Sequence, residues 1–206
     1  MKVLVVTGGI GSGKSLVCSI LRKSGLHWQY DSDARVKALY GENPRILDEI
    51  ESSLGQKFRD DAGNLIPELL AGRIFTDPEA MHTVEGIVFE ALAADFRSFL
   101  SMAEAEGGTK WVVFESATVL EKEFFAGFGD MVLLVDAPVR KRIARAVSRD
   151  SASEESVVSR MSRQPLMNAI SEGGRDPRID YVMENDGDVT ELEEKVTAFY
   201  HKYLSN

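Results

Sequence analysis

The sequence predicts an α/β fold in which helices flank a central parallel sheet of about five strands, with a helical insertion and a short lid. Three observations carry this. The apolar runs Val3–Val6, Lys110–Phe114 and Met131–Val135 read as buried parallel strands, which need no polar alternation. Helical spacing of apolar residues fills most of the chain between them. The first run leads directly into Gly8-Gly9-Ile10-Gly11-Ser12-Gly13-Lys14-Ser15, a G-x-x-x-x-G-K-S pattern between a strand and a helix.

That pattern has a physical purpose. Its glycines let the backbone bend so that successive N–H groups face one phosphate. The start of the following helix adds partial positive charge, and Lys14 adds a full one. Ser15 would set a hydroxyl on a Mg²⁺ that bridges the phosphates. A Gly-rich turn matching by chance is the alternative, and its fit in both residues and context weighs against it. Gly9, Ile10, Gly11, Ser12, Gly13, Lys14 and Ser15 therefore mark a nucleoside triphosphate site.

Composition narrows the classes. At 206 residues the chain is one large domain or a core with insertions, and 44% hydrophobic with 28% charged residues is ordinary for a soluble protein. A net charge of −9 argues against a nucleic-acid surface, which needs a clustered basic face. The single Cys18 excludes an internal disulfide, and no Cys/His cluster has zinc spacing. No apolar run approaches the ~20 residues that span a bilayer. The chain begins directly in a strand, so no signal peptide and no membrane association are expected, and cytoplasm is the default. A monomer or weak homo-oligomer is expected.

In chain order, the first helix runs from about Lys14 to Lys23 and stops at Ser24-Gly25. His27–Tyr30 alternates weakly and reads as a short strand. It ends at Asp31-Ser32-Asp33, before a helical pattern from Ala34. Carboxylates at the carboxyl end of such a strand stand where an open α/β sheet binds ligands. One of them can take a proton from a hydroxyl nucleophile or serve as a metal's outer ligand, while Asp31 or Ser32 capping the next helix is the plainer reading; Asp33 is favoured as the base. Helical spacing returns at Ile46, Leu47, Ile50 and Leu54. The polar stretch Gly55–Asn64 is a loop, and its D-x-x-G at Asp60–Gly63 is accidental because no apolar strand precedes it. Pro67 and Asp77-Pro78 open two more helices, the second marked by Val84, Ile87, Val88, Ala91, Leu92 and Phe99. Residues 34–107 thus exceed what a βαβ crossover needs, and are read as a helical insertion for the acceptor or as architectural bulk.

Glu115 directly follows the Lys110–Phe114 strand, and either orients hydrated Mg²⁺ or pairs at the strand end. Met131–Val135 ends at Asp136, and Pro138 is placed to start a helix. On that helix Arg142, Arg145 and Arg149 share one face. Guanidinium forks suit phosphate oxygens, although a solvated charged face is the alternative for any one of them. Ser151 with Glu154 forms a capping box for the next helix, which also carries Arg160 and Arg163. Ile179–Met183 is the last strand, and Leu192, Val196, Phe199, Tyr200 and Tyr203 mark a closing helix.

Taken together, Thr7–Ser15, Asp31-x-Asp33, Arg73-Ile74-Phe75 with Pro78, Val135-Asp136 leading to Arg145 and Arg149-Asp150, then Gln164, Asp180 and Asn185-x-Gly187 resemble the dephospho-CoA kinases. The resemblance spans nearly the whole chain. It implies a P-loop kinase that moves the γ-phosphate of Mg-ATP to the ribose 3′-hydroxyl of dephospho-CoA, with Mg²⁺ accompanying the donor. By the same resemblance Asp33 is the base, Arg145 contacts the transferring phosphate, Arg149 supports it, and Asn185 lies near the adenine. Asp31, Asp33, Lys37, Arg73 and Glu121 are assigned to the acceptor. The implied division is a core of residues 1–33, 108–147 and 176–206, a CoA-binding region 34–107 and a lid 148–175. The chain departs from the family pattern at Lys37, at Phe89-Glu90 and at Ala117–Glu121, all mainly on the acceptor side. Another small-molecule kinase, or a nucleotide-dependent switch without transfer activity, are the alternatives.

Overall fold

The structure, a computed structural model describing residues 1–108, 110–125 and 127–205, contains strands β1 (Lys2–Thr7), β2 (Gln29–Asp31), β3 (Trp111–Glu115), β4 (Met131–Asp136) and β5 (Tyr181–Glu184). They form one all-parallel sheet in the order β2-β3-β1-β4-β5. The expected five-stranded parallel sheet is present. β1 has β3 on one edge and β4 on the other, so every residue after Lys2 is buried. Strand order reverses at β1, which makes its carboxyl end the place where such sheets receive ligands.

By contact the chain divides into two units, residues 1–31 with the chain from Ala103 onward, and Ser32–Met102. In the first, α1 (Lys14–Lys23) packs with the last helix on one face of the sheet. Their core includes Leu4, Val6, Val17, Leu21, Val113, Leu133, Val196 and Phe199. Around Phe114 lie Tyr30, stacked at 5.5 Å, Phe125, tilted at 5.7 Å, and the edge of Phe128 at 4.6 Å. α1 stops as expected: Gly25 takes φ 114, its N–H reaches Arg22 O, and the Leu26 N–H reaches Leu21 O.

In the second unit, α2 (Ser32–Glu42) starts two residues earlier than the sequence pattern indicates, which puts Asp33 in its first turn. A carboxylate there is favoured by the helix dipole. α3 (Pro44–Leu54) and α4 (Pro67–Thr76) each open on proline. α5 (Pro78–Glu106) buries Val84, Val88 and Leu92 of the expected face and adds Phe96, while Ile87, Ala91 and Phe99 are half-buried. Arg35 of α2 holds Asp95 of α5 at 2.8 Å and Glu42 at 2.9 Å. The D-x-x-G match is turn chemistry: the Asp60 carboxylate accepts from the N–H groups of Ala62 and Asn64 at 3.0 and 2.8 Å.

Beyond β4, α6 (Val139–Asp150), α7 (Glu154–Met161) and α8 (Pro165–Ser171) precede β5, and α9 (Val189–Tyr203) closes the chain. The expected Ser151–Glu154 capping box does not form. Ser151 is consumed in ending α6 at φ 49, and Ser153 caps α7 by accepting from the Ser156 N–H at 3.3 Å. Asp180 fixes the register of β5 by exchanging backbone and side-chain bonds with Val132 at 3.0 and 2.7 Å. Among the described residues no helix is long and apolar enough to cross a membrane.

Candidate active site

The phosphate loop leaves β1 at Gly8 and enters α1 at Lys14. Lys14 Nζ donates back to Gly8 O at 2.8 Å, curling the ammonium over the loop. Ser15 Oγ donates to Glu115 Oε1 at 2.7 Å. Parallel pairing sets Asp31 opposite Glu115 and Glu115 opposite Val6, so two carboxylates end adjacent strands beside the loop. Ser15 and Glu115 supply hard oxygens in contact, a donor set that fits Mg²⁺ held largely through phosphates and water. Among the described residues no group of three His, Cys, Asp or Glu could hold a metal ion by itself. Cys18, in the turn after Ser15, is buried. Burial and the nearby Glu115 carboxylate push its thiol well above the ordinary value, which leaves it an unreactive packing residue.

The arginine stripe splits into three roles. Arg142 is fully buried; Nε donates to Ile10 O at 3.1 Å and Nη1 to Ser171 Oγ at 2.9 Å. Ser171 Oγ in turn donates to Asp136 Oδ1 at 3.3 Å. Burial lowers the guanidinium pKa, and Asp136 opposes that shift. A Cβ at Gly9 would collide with this guanidinium, so the glycine is needed for close approach. Arg145 donates to Asn185 O at 3.1 Å and reaches Ser12 O at 3.5 Å. Arg149, at the end of α6 and exposed, pairs instead with Asp150 at 2.7 Å, and Asp150 also holds Arg160 at 2.7 Å. Helical spacing gives the three arginines one side, but only the first two turns of α6 reach the loop's backbone.

Two buried side chains brace the loop from other elements. Asn185, just past β5, donates Nδ2 to Ser12 O at 2.8 Å and lies where a Cβ on Gly13 would stand. Gln164, the residue before α8, accepts from the Ile10 N–H at 3.0 Å and donates to Ala117 O at 3.1 Å. The bracing by Arg142 and Gln164 was not legible in the pattern, since neither partner lies near in sequence. The one signal was the family resemblance, which included Gln164 without a role for it.

The remaining expected residues lie as follows. Glu121 accepts from the N–H groups of Leu166 and Met167 at 3.1 and 3.3 Å, anchoring the first turn of α8. Arg73 ends α4 in an ion pair with Asp77 at 2.5 Å. Lys37 lines a cavity of about 800 Å³ within the second unit, with Tyr40, Pro44, Arg59, Asn64 and Leu65. Arg59 is held there by Glu51 at 3.1 Å and Asp48 at 2.8 Å. Asp33 belongs to this unit too, two residues beyond the end of β2.

Comparison with known proteins points one way. A family model described as dephospho-CoA kinase matches residues 2–191. A dephospho-CoA kinase from Porphyromonas gingivalis is 34% identical over 176 residues, 85% of this chain and 84% of the relative. One from Salinibacter ruber is 32% identical and covers 97% and 96% of the two chains. Among solved structures, TT1252 from Thermus thermophilus aligns with a TM-score of 0.79 and 28% identity over 98% and 97% of the two chains. The dephospho-CoA kinase of Campylobacter jejuni aligns with a TM-score of 0.66 over 97% and 96%, and its 18% identity speaks to the fold.

Proposed function

The chain belongs to the dephospho-CoA kinase family, and from that premise we propose how its residues divide the work. The reaction moves the γ-phosphoryl of ATP to the 3′-hydroxyl of dephospho-CoA, giving CoA and ADP. The observation that carries our assignment is the braced phosphate loop with the Ser15–Glu115 pair at its end.

In this reading the loop amides hold the β- and γ-phosphates, and Lys14 exchanges its bond to Gly8 O for phosphate oxygens. Mg²⁺, when bound, neutralises charge on those phosphates, with Ser15 and Glu115 as the residues that would hold it. Asp33 accepts the 3′-hydroxyl proton as the 3′-oxygen bonds to the γ-phosphorus and the bond to the β–γ bridging oxygen breaks. The freed electron pair leaves on ADP. Arg145 supports the loop through Ser12 and Asn185 and offers its remaining N–H groups to the transferring phosphate. Arg149 would trade Asp150 for phosphate as the lid region 148–175, already tied to the loop through Gln164, excludes water.

We assign the acceptor's elongated arm to the cavity lined by Lys37 and Tyr40, which is large enough for a flexible chain. The assignments of Asp31, Arg73 and Glu121 to the acceptor rest on the family resemblance; Arg73 and Glu121 have intramolecular partners that acceptor binding would have to displace. We further propose a cytoplasmic enzyme, monomeric or weakly self-associating, acting on two water-soluble small molecules.

The direct test is incubation with dephospho-CoA and Mg-ATP, followed by mass spectrometry for one added phosphate and by coupled ADP release. Gain of one phosphate supports the reading. Faster turnover with a nucleoside or another alcohol overturns it.

A further inference from the structure

We infer that Gln164 is a positioning residue for ATP, acting through Ile10 of the phosphate loop. The inference rests on the reading that this loop holds ATP. Ile10 is held by three kinds of contact, all from the chain between Arg142 and Gln164. Its N–H donates to Gln164 Oε1 at 3.0 Å, and its carbonyl accepts from Arg142 Nε at 3.1 Å. Its side chain packs on the small apolar cluster that α6 and α7 share, formed by Ala146, Val157 and Met161.

Gln164 is buried, and its amide is divided between two distant segments: Ile10 in the loop and Ala117 after β3. Glu121 of that second segment anchors the first turn of α8, so Gln164 sits where three pieces of chain meet. A glutamine that merely filled space would satisfy its amide within its own turn or in solvent. The flanking Gly9 and Gly11 leave Ile10 little stiffness of its own, and a Gly-rich loop has many shapes to lose on binding. Holding the Ile10 peptide in advance lowers that cost, and the benefit appears as ATP affinity. The Ile10 N–H is thereby turned toward Gln164, which gives this residue a bracing part within the motif.

Gln164→Met keeps the volume and removes both bonds. It should raise KM for ATP about tenfold while KM for dephospho-CoA stays nearly constant. Gln164→Glu adds a signature that simple packing would not produce. Protonated, the new carboxyl accepts from Ile10 and donates to Ala117 as glutamine does; ionised, it presses an acceptor on the Ala117 carbonyl. Burial raises the pKa of such a carboxyl, so KM for ATP in this variant should approach the wild-type value as pH falls from about 8 to about 6. The ratio for the Met variant should stay flat with pH. Binding of a non-hydrolysable ATP analogue without acceptor separates the two layers. If the wild-type protein does not bind it, the ATP-loop reading fails. If wild-type and folded Met variant bind it equally, the role of Gln164 alone is overturned. If Gln164→Met does not fold, Gln164→Glu still decides, because a pH-independent KM ratio overturns the inference.

Discussion

Ser15 Oγ donates to Glu115 Oε1 at 2.7 Å, joining the end of the phosphate-loop motif to the last residue of β3. Neither residue has the other near in sequence. The pair exists because β1 and β3 are parallel neighbours in register, with Val6 opposite Glu115. If this pair supports the metal that accompanies ATP, Glu115→Gln should raise the Mg²⁺ concentration for half-maximal activity about tenfold. ADP release across a Mg²⁺ titration reads this directly, and an unchanged midpoint refutes it.

Asp33 stands in the first turn of α2, where its charge favours the helix dipole whether or not it is a base. The catalytic role separates from that structural one by kinetics. Asp33→Asn should lower kcat about a thousandfold, with KM for ATP held within about twofold. Circular dichroism should remain native. Turnover that survives in Asp33→Asn while Lys14→Ala abolishes it would remove Asp33 from the role of base.

Arg142 is a buried cation that supports the loop through Ile10 O and Ser171. Truncation leaves a void and strips partners from both groups. Arg142→Ala should therefore cost about 2–4 kcal/mol in urea unfolding. Ser171→Ala should cost about 1 kcal/mol. The double variant should cost less than the sum, because the residues share a bond. Strict additivity would contradict the coupling.

Tyr40, in the wall of the second unit's cavity, has its phenol pushed up to about 12 by burial. The fold favours the neutral phenol, so this contribution to stability is complete below the unfolded value of about 10. It is lost as pH rises through about 12. The phenolate absorbance present in the wild-type protein and absent from Tyr40→Phe should show a midpoint near that value. Saturating dephospho-CoA should move it higher if the acceptor covers the ring. An unmoved midpoint counts against the cavity as acceptor site.

Much of this was legible along the chain because it is local. Apolar runs without alternation announce parallel strands, and the Gly8–Ser15 motif is readable because its residues are consecutive. The position of Asp33, two residues past the end of β2, was legible for a similar reason. The cap of α7 moved through competition between nearby groups. Ser151 was drawn into ending α6, so Ser153 became the cap of α7.

What the sequence by itself determined is therefore the sheet, the phosphate loop and the kind of chemistry it serves, because strand patterning and Gly-Lys-Ser geometry are written in consecutive residues. Only the tertiary structure decided how the arginines divide. Arg142 became a buried brace, Arg145 a support under Ser12, and Arg149 a surface partner of Asp150. Helical spacing made them equivalent. Their distances from the loop separated them, because α6 passes the loop only along its first turns. The same parallel pairing brought Ser15 to Glu115. Long-range packing likewise set Gln164 on Ile10 and Asn185 on Ser12.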